Sequence, residues 1–103
     1  MTARRTLPQR RHSETFELKH GKVSAPFVVT VGYYADGVTP GEVFVAGSKS
    51  GSDFEAVARD GAILLSLAIQ HGVPLDTIKH AVTREGNGAP STIIGAVVDR
   101  LSR

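Results

Sequence analysis

The chain has 103 residues, of which 41% are hydrophobic, and it contains neither cysteine nor tryptophan. A chain of this length supports one domain with one core, so the architectures of large enzymes are excluded. Without cysteine it cannot form a disulfide, a thiolate nucleophile, a cysteinyl radical, an iron–sulfur cluster or a thiolate-rich zinc site. We therefore expect one small domain, of a composition that fits a reducing cytoplasm.

The formal net charge of +2 is concentrated at the amino terminus. Residues 1–12 contain no acid and four arginines, Arg4, Arg5, Arg10 and Arg11, so the remaining chain has a net charge of −2. This segment lacks an apolar period and is predicted to be a flexible basic tail, with residues 13–103 as the single folded domain. Its arginines could contact phosphate groups, which makes nucleic acid a candidate partner.

No segment of the chain has the properties of a membrane span or a secretory signal. The first twelve residues lack the apolar region and the small-residue cleavage site of a signal peptide. The longest apolar run, residues 61–69, is much shorter than the roughly 20 residues that cross a bilayer. We expect a cytoplasmic protein with no membrane contact.

The first half of the chain has the period-two pattern of β-strands. Phe16 and Leu18 alternate with charged residues, which indicates a half-buried strand. The β-branched run 27–34 and the segment 42–46 predict two further strands. An antiparallel meander is the simplest arrangement, and its aromatic residues Phe27, Tyr33 and Phe44 are expected to cover the core.

The second half of the chain changes to a helical period. Residues that recur at helical spacing are Phe54, Ala58, Ala62, Leu65 and Ile69, with Val57, Leu64 and Ala68 widening the stripe. Ser52 and Glu55 have the spacing of a capping box at the start of this helix, and Gly72 can end it in the left-handed conformation.

Two shorter helices are predicted after the first. Pro74 opens one of them, and Ser91 is the predicted N-cap of the last. The order β-β-β-α-α-α, with helices on one face of the sheet, predicts an α+β two-layer sandwich. The first helix is apolar on nearly all sides between Gly61 and Ile69, so we expect self-association into a dimer.

A polar, glycine-rich loop before the first helix is the leading candidate for a binding site. It comprises Gly47, Ser48, Lys49, Ser50, Gly51 and Ser52. Backbone donors at a helix N-terminus bind anions and Lys49 adds positive charge, so a nucleotide or another anion is the expected ligand class. The spacing is not that of a P-loop, because Lys49 precedes Gly51 and Asp53 would repel phosphate. A plain turn closed by Ser52 is the alternative.

The residue patterns do not indicate a catalytic site, a metal site or a cofactor. The four histidines lack the His-x-x-x-His spacing of a helical metal site, and only a pair brought together by the fold, such as His71 and His80, could converge. Ser52 does not lie in the Gly-x-Ser-x-Gly motif of a nucleophilic serine.

Residues 30–101 carry an ordered series of motifs. These are Glu42-Val43-Phe44-Val45, the turn 48–53, a helix rich in alanine and leucine with Ser66, His71-Gly72-Val73-Pro74-Leu75, Pro90-Ser91 and Gly95-Ala96-Val97. In this order and spacing the stretch resembles the TSCPD domain family, small domains found alone or at the C-terminus of adenosylcobalamin-dependent ribonucleotide reductases. The family's Thr-Ser-Cys-Pro-Asp motif is here Pro90-Ser91-Thr92-Ile93-Ile94, with Thr92 near the position of the cysteine.

The resemblance implies an accessory domain rather than a reductase. Ribonucleotide reduction needs a cysteine that becomes a radical, a redox pair of cysteines and a cobalamin-binding barrel, which this chain cannot supply. We therefore expect a non-catalytic binding or oligomerisation module without a cofactor, whose partner is a second copy or a ribonucleotide reductase chain. Nucleic-acid binding through the amino-terminal arginines is the alternative, and a small enzyme with an unrecognised polar pocket is a third possibility.

Overall fold

The computed structural model describes residues 3–21, 26–47 and 53–102. Three strands, β1 (Ser13–Leu18), β2 (Phe27–Tyr33) and β3 (Pro40–Ala46), precede three helices, α1 (Asp53–Gln70), α2 (Leu75–Ala81) and α3 (Ile93–Leu101). The strands form one sheet in the order β1-β2-β3, and both neighbouring pairs are antiparallel. The predicted α+β meander followed by helices is confirmed.

One face of the sheet forms half of the core. Val29 and Val31 of β2 and Val43 and Val45 of β3 are buried on this face. The prediction that Phe44 covers the core is wrong, since its side chain is 56% exposed. Successive side chains of a strand point to opposite faces, so Phe44 lies on the other face from its two buried valine neighbours.

Helices α1 and α3 supply the other half of the core. Helix α1 packs along β3 and buries Ala58, Ala62 and Leu65. Helix α3 adds Ile93, Val97 and Val98, and α2 packs against α3 at the margin. The core therefore lies between a three-stranded sheet and a layer of helices, as the sequence pattern predicts.

The capping residues at two helix ends can be compared with those that the sequence predicts. Gly72 has a φ of 90°, and the Val73 N–H donates to the Ala68 carbonyl at 3.0 Å, so the predicted glycine C-cap of α1 is confirmed. The N-cap predicted for α3 is one residue too early. Thr92, not Ser91, is the cap, and its Oγ1 accepts from the Gly95 N–H at 3.1 Å. The Ser91 hydroxyl instead donates to Glu85 Oε2 at 2.6 Å.

Candidate interaction surface

Helix α1 presents several large apolar side chains to solvent. These are Phe54, Val57, Ile63, Leu64 and Leu67, which are 38% to 72% exposed, and they are called here the α1 outer face. Small domains rarely leave large apolar side chains clustered in water, and such clusters mark surfaces that bind other molecules. The apolar surplus that the sequence predicts for this helix is therefore present on its solvent side.

A pocket of about 260 Å³ adjoins the α1 outer face, between α1 and the start of α3. Phe54 and Val57 belong both to the pocket and to the outer face. Gly61 allows the two helices to approach closely here, because a Cβ at this position would lie 2.7 Å from Ile94 Cγ1. Most of the lining is apolar, so the pocket suits an apolar group of a partner better than a charged ligand.

The predicted anion-binding loop is described only at its first residue. Ser48, Lys49, Ser50, Gly51 and Ser52 lie outside the described residues. A Cβ added to Gly47 would lie 3.0 Å from Glu55 Cγ, so this end of the loop adjoins a buried carboxylate. The Arg59 guanidinium donates to both Glu55 oxygens, at 2.7 and 2.5 Å. The anion site stays a prediction, with an ion pair next to its first residue.

The amino-terminal segment contacts the folded domain through its arginines. Arg4 Nε donates to Gln70 Oε1 at 2.6 Å, and the Arg5 guanidinium lies 3.7 Å from the centre of the Tyr34 ring. Arg11 Nε lies 2.5 Å from Glu42 Oε2. All four arginines of the segment are exposed, and nucleic-acid binding by Arg4, Arg5 and Arg11 would have to compete with these contacts. The flexible tail and its nucleic-acid contacts both stay predictions.

Two polar side chains of α1 hold the helix against the free edge of β3, and the sequence did not reveal this role. Ser66 Oγ accepts from the Val43 N–H at 2.8 Å, and its own hydrogen can reach the carbonyls of Ala62 at 2.9 Å and Val43 at 3.1 Å. Gln70 Nε2 donates to the Gly41 carbonyl at 2.8 Å. The feature of the sequence that points to this role is a serine, Ser66, inside the otherwise apolar run of the helix.

The described residues do not assemble a metal centre. Among them, no three histidine, aspartate or glutamate side chains are placed to hold an ion. His80, one of the two histidines that the fold could bring together, is exposed on α2, and its Nδ1 lies 2.8 Å from the Asp76 carbonyl. None of the described helices has the length and apolar character that crossing a bilayer requires.

These features define a small α+β domain whose first helix carries exposed apolar side chains. The model of the TSCPD domain family matches residues 1–103. The chain belongs to the TSCPD domain family.

Two curated relatives show where such domains occur. The vitamin B12-dependent ribonucleotide reductase of Rhodopirellula baltica is 36% identical over 107 residues, which cover 97% of this chain. The protein of the same name from Agrobacterium fabrum is 35% identical over 80 residues, or 78% of the chain. The chain spans only 10% and 6% of the lengths of these relatives. No solved structure matches it significantly.

Proposed function

We propose that this chain is a non-catalytic accessory module that docks on a ribonucleotide reductase through the α1 outer face. The observation that carries the proposal is the group of five exposed apolar side chains on one helix, next to an apolar pocket. Both relatives are named as vitamin B12-dependent ribonucleotide reductases, which supports a reductase polypeptide as the partner. A cytoplasmic location is the expected setting for this role.

The absence of cysteine supports a non-catalytic role. Radical reduction of a ribonucleotide, as known for the family's larger members, depends on cysteine side chains, and this chain has none. A module of this kind would contribute binding free energy or position another part of the reductase, while the chemical step would take place elsewhere.

Burial of two side chains would supply a large part of the docking free energy. Val57 is 72% exposed and Leu64 is 67% exposed. Complete burial of a valine or leucine side chain contributes about 1.5–3 kcal/mol, so the exposed fractions of these two correspond to about 2–4 kcal/mol. That amount changes an affinity by more than tenfold, since tenfold corresponds to about 1.4 kcal/mol.

The test measures how tightly the labelled chain binds a vitamin B12-dependent ribonucleotide reductase whose own TSCPD domain has been removed. Leu64→Glu places a charge in the α1 outer face and is expected to weaken binding at least tenfold, about 1.4 kcal/mol. Thr77→Glu adds the same charge at an exposed position of α2 and is the matched control.

Two results would refute the proposal: a wild-type chain that does not bind, or equal affinities of the Leu64→Glu and Thr77→Glu variants. Light scattering on the same proteins reports whether the α1 outer face joins two copies instead. If the wild type and Thr77→Glu form a dimer and Leu64→Glu does not, the α1 outer face joins two copies of the chain, which is the partner that the sequence favours.

Nucleic-acid binding by Arg4, Arg5, Arg10 and Arg11 is the alternative proposal, and it is supported by the exposure of all four residues. Its affinity would fall steeply as salt is added, because each phosphate contact releases counterions. Deletion of residues 1–12 would abolish it. An affinity that does not change with salt or with this deletion would exclude the role.

A further inference from the structure

The two edges of the sheet differ in how their backbone groups are covered. On β3, the side chains of Ser66 and Gln70 bond to the outward-facing backbone of Val43 and Gly41. Helix α1 thereby covers one edge of the sheet, and the opposite edge belongs to β1.

The outward-facing groups of β1 follow from the register of the sheet. The Tyr33 N–H donates to the His12 carbonyl at 2.9 Å, so His12 and, by alternation, residues 14, 16 and 18 direct their backbone groups towards β2. Ser13, Thr15 and Glu17 therefore direct theirs away from the sheet. Within residues 3–21, 26–47 and 53–102, no hydrogen bond from another element reaches these groups, and all three residues are exposed.

We propose that the open edge of β1 pairs antiparallel with β1 of a second copy, which joins the two sheets into one of six strands. An unpaired strand edge is a template for addition of another strand. A two-fold axis makes the contact self-complementary, so that each residue of β1 faces a residue of the partner's β1. This contact uses a different surface from the α1 outer face.

Among the registers that overlap the middle of β1, with the axis at one of residues 14–17, charge leaves two possibilities. A two-fold axis at Glu14 or at Glu17 would place a carboxylate directly opposite its own copy, which is unfavourable. An axis at Thr15 places Glu14 opposite the partner's Phe16, and an axis at Phe16 places Glu14 opposite the partner's Leu18. Neither sets like charges opposite within β1, and in both the outward Thr15 N–H donates to a carbonyl of the partner's strand.

The inner face of β1 provides apolar surface for the same contact. Phe16 and Leu18 pack against the core but remain half-buried, and the Arg100 guanidinium lies 4.4 Å from the centre of the Phe16 ring. With the axis at Phe16, the Phe16 side chains of the two copies lie directly opposite each other and extend the apolar face across the axis. With the axis at Thr15, each Phe16 instead lies opposite Glu14 of the second copy. Glu14 and Glu17 could either select the register of the pairing or, as charges do on many edge strands, prevent pairing altogether. The experiment distinguishes these two roles.

The test combines a proline variant with hydrogen exchange on the full chain. Thr15→Pro removes the outward N–H but no donor of the β1–β2 ladder, and proline is tolerated at such edge positions. Thr15→Val is the matched control, because it loses the contact of its hydroxyl with Thr30 Oγ1 at 3.0 Å but keeps the N–H. Sedimentation measures the mass of each protein over a range of concentrations.

We expect the wild type and Thr15→Val to dimerise and Thr15→Pro to dimerise at least tenfold more weakly with an unchanged circular dichroism spectrum. In the wild type, protection of the Ser13, Thr15 and Glu17 amides should rise with protein concentration, and this measurement needs no folded variant. It should also be unaffected by Leu64→Glu, which separates this interface from the α1 outer face. A wild type whose three amides stay unprotected at millimolar concentration overturns the proposal, as does a folded Thr15→Pro variant that dimerises as strongly as the wild type.

Discussion

The hydroxyl of Ser66 is the polar group whose removal tests the packing of α1 most directly. It accepts the N–H of Val43, a residue that is 1% exposed, at 2.8 Å. In Ser66→Ala this N–H loses its partner in a place that is closed to water. An unsatisfied buried donor costs about 1–3 kcal/mol. Alanine has the higher helix propensity, which returns about 0.5 kcal/mol.

The net expectation for Ser66→Ala is a loss of about 1–2 kcal/mol in the free energy of unfolding. For a domain of this size each kcal/mol corresponds to about 4–8 °C, so Tm should fall by about 5–15 °C. Thermal and urea unfolding followed by circular dichroism measure both quantities. Ser13→Ala removes an exposed hydroxyl and should change stability by less than about 0.5 kcal/mol. A Ser66→Ala variant as stable as Ser13→Ala would refute the role assigned to this hydroxyl.

Two further predictions concern a turn and a helix cap. The Asp36 carboxylate accepts hydrogen bonds from the Thr39 hydroxyl and from the Thr39 and Val38 N–H groups, which lower its pKa from 3.8 to about 2. Because the pKa of Asp36 is lower in the folded than in the unfolded chain, the stabilisation of the fold by this carboxylate is complete above about pH 4 and is lost as the pH falls towards 2. NMR titration of Asp36 measures this pKa, and a value near 3.8 would contradict the prediction. Thr92→Ala removes the acceptor for the Gly95 N–H and should lower the free energy of unfolding, measured in urea, by about 1 kcal/mol. If Ser91→Ala lowers it by the same amount, the N-cap role assigned to Thr92 is wrong.

The strands and helices could be predicted because their signals are local. Alternation in β2 places Val29 and Val31 on one face, and Gly72 ends α1 because a glycine adopts a positive φ without strain. The aromatic character of Phe44 predicts a core position, but strand alternation places its side chain on the other face of the sheet from Val43 and Val45. Period two shows which residues share a face, and burial then follows from the face that the helices cover.

The α3 cap shows the limit of local signals at neighbouring positions. Ser91 and Thr92 both have a hydroxyl that can accept from a helical N–H, so propensity alone does not separate them. The Ser91 hydroxyl bonds to Glu85 and its backbone N–H to the Thr83 carbonyl, which ties this residue to the preceding loop. The choice therefore depends on contacts made by the loop, outside the helix whose start is being predicted.

Which side of α1 faces outward depends on how the helix is rotated about its axis. Its apolar residues surround the helix, so burial of Val57 and Leu64 with exposure of Ala58 and Leu65 would satisfy the same hydrophobic pattern. Ser66 and Gln70 remove this ambiguity, because only one rotation brings both side chains to the backbone of β3. Val43 and Gly41 are buried, and a buried backbone group left without a hydrogen-bond partner costs about 1–3 kcal/mol. The hydrogen bonds of Ser66 and Gln70 to the sheet thus also determine that Val57 and Leu64 face outward, as the proposed docking requires.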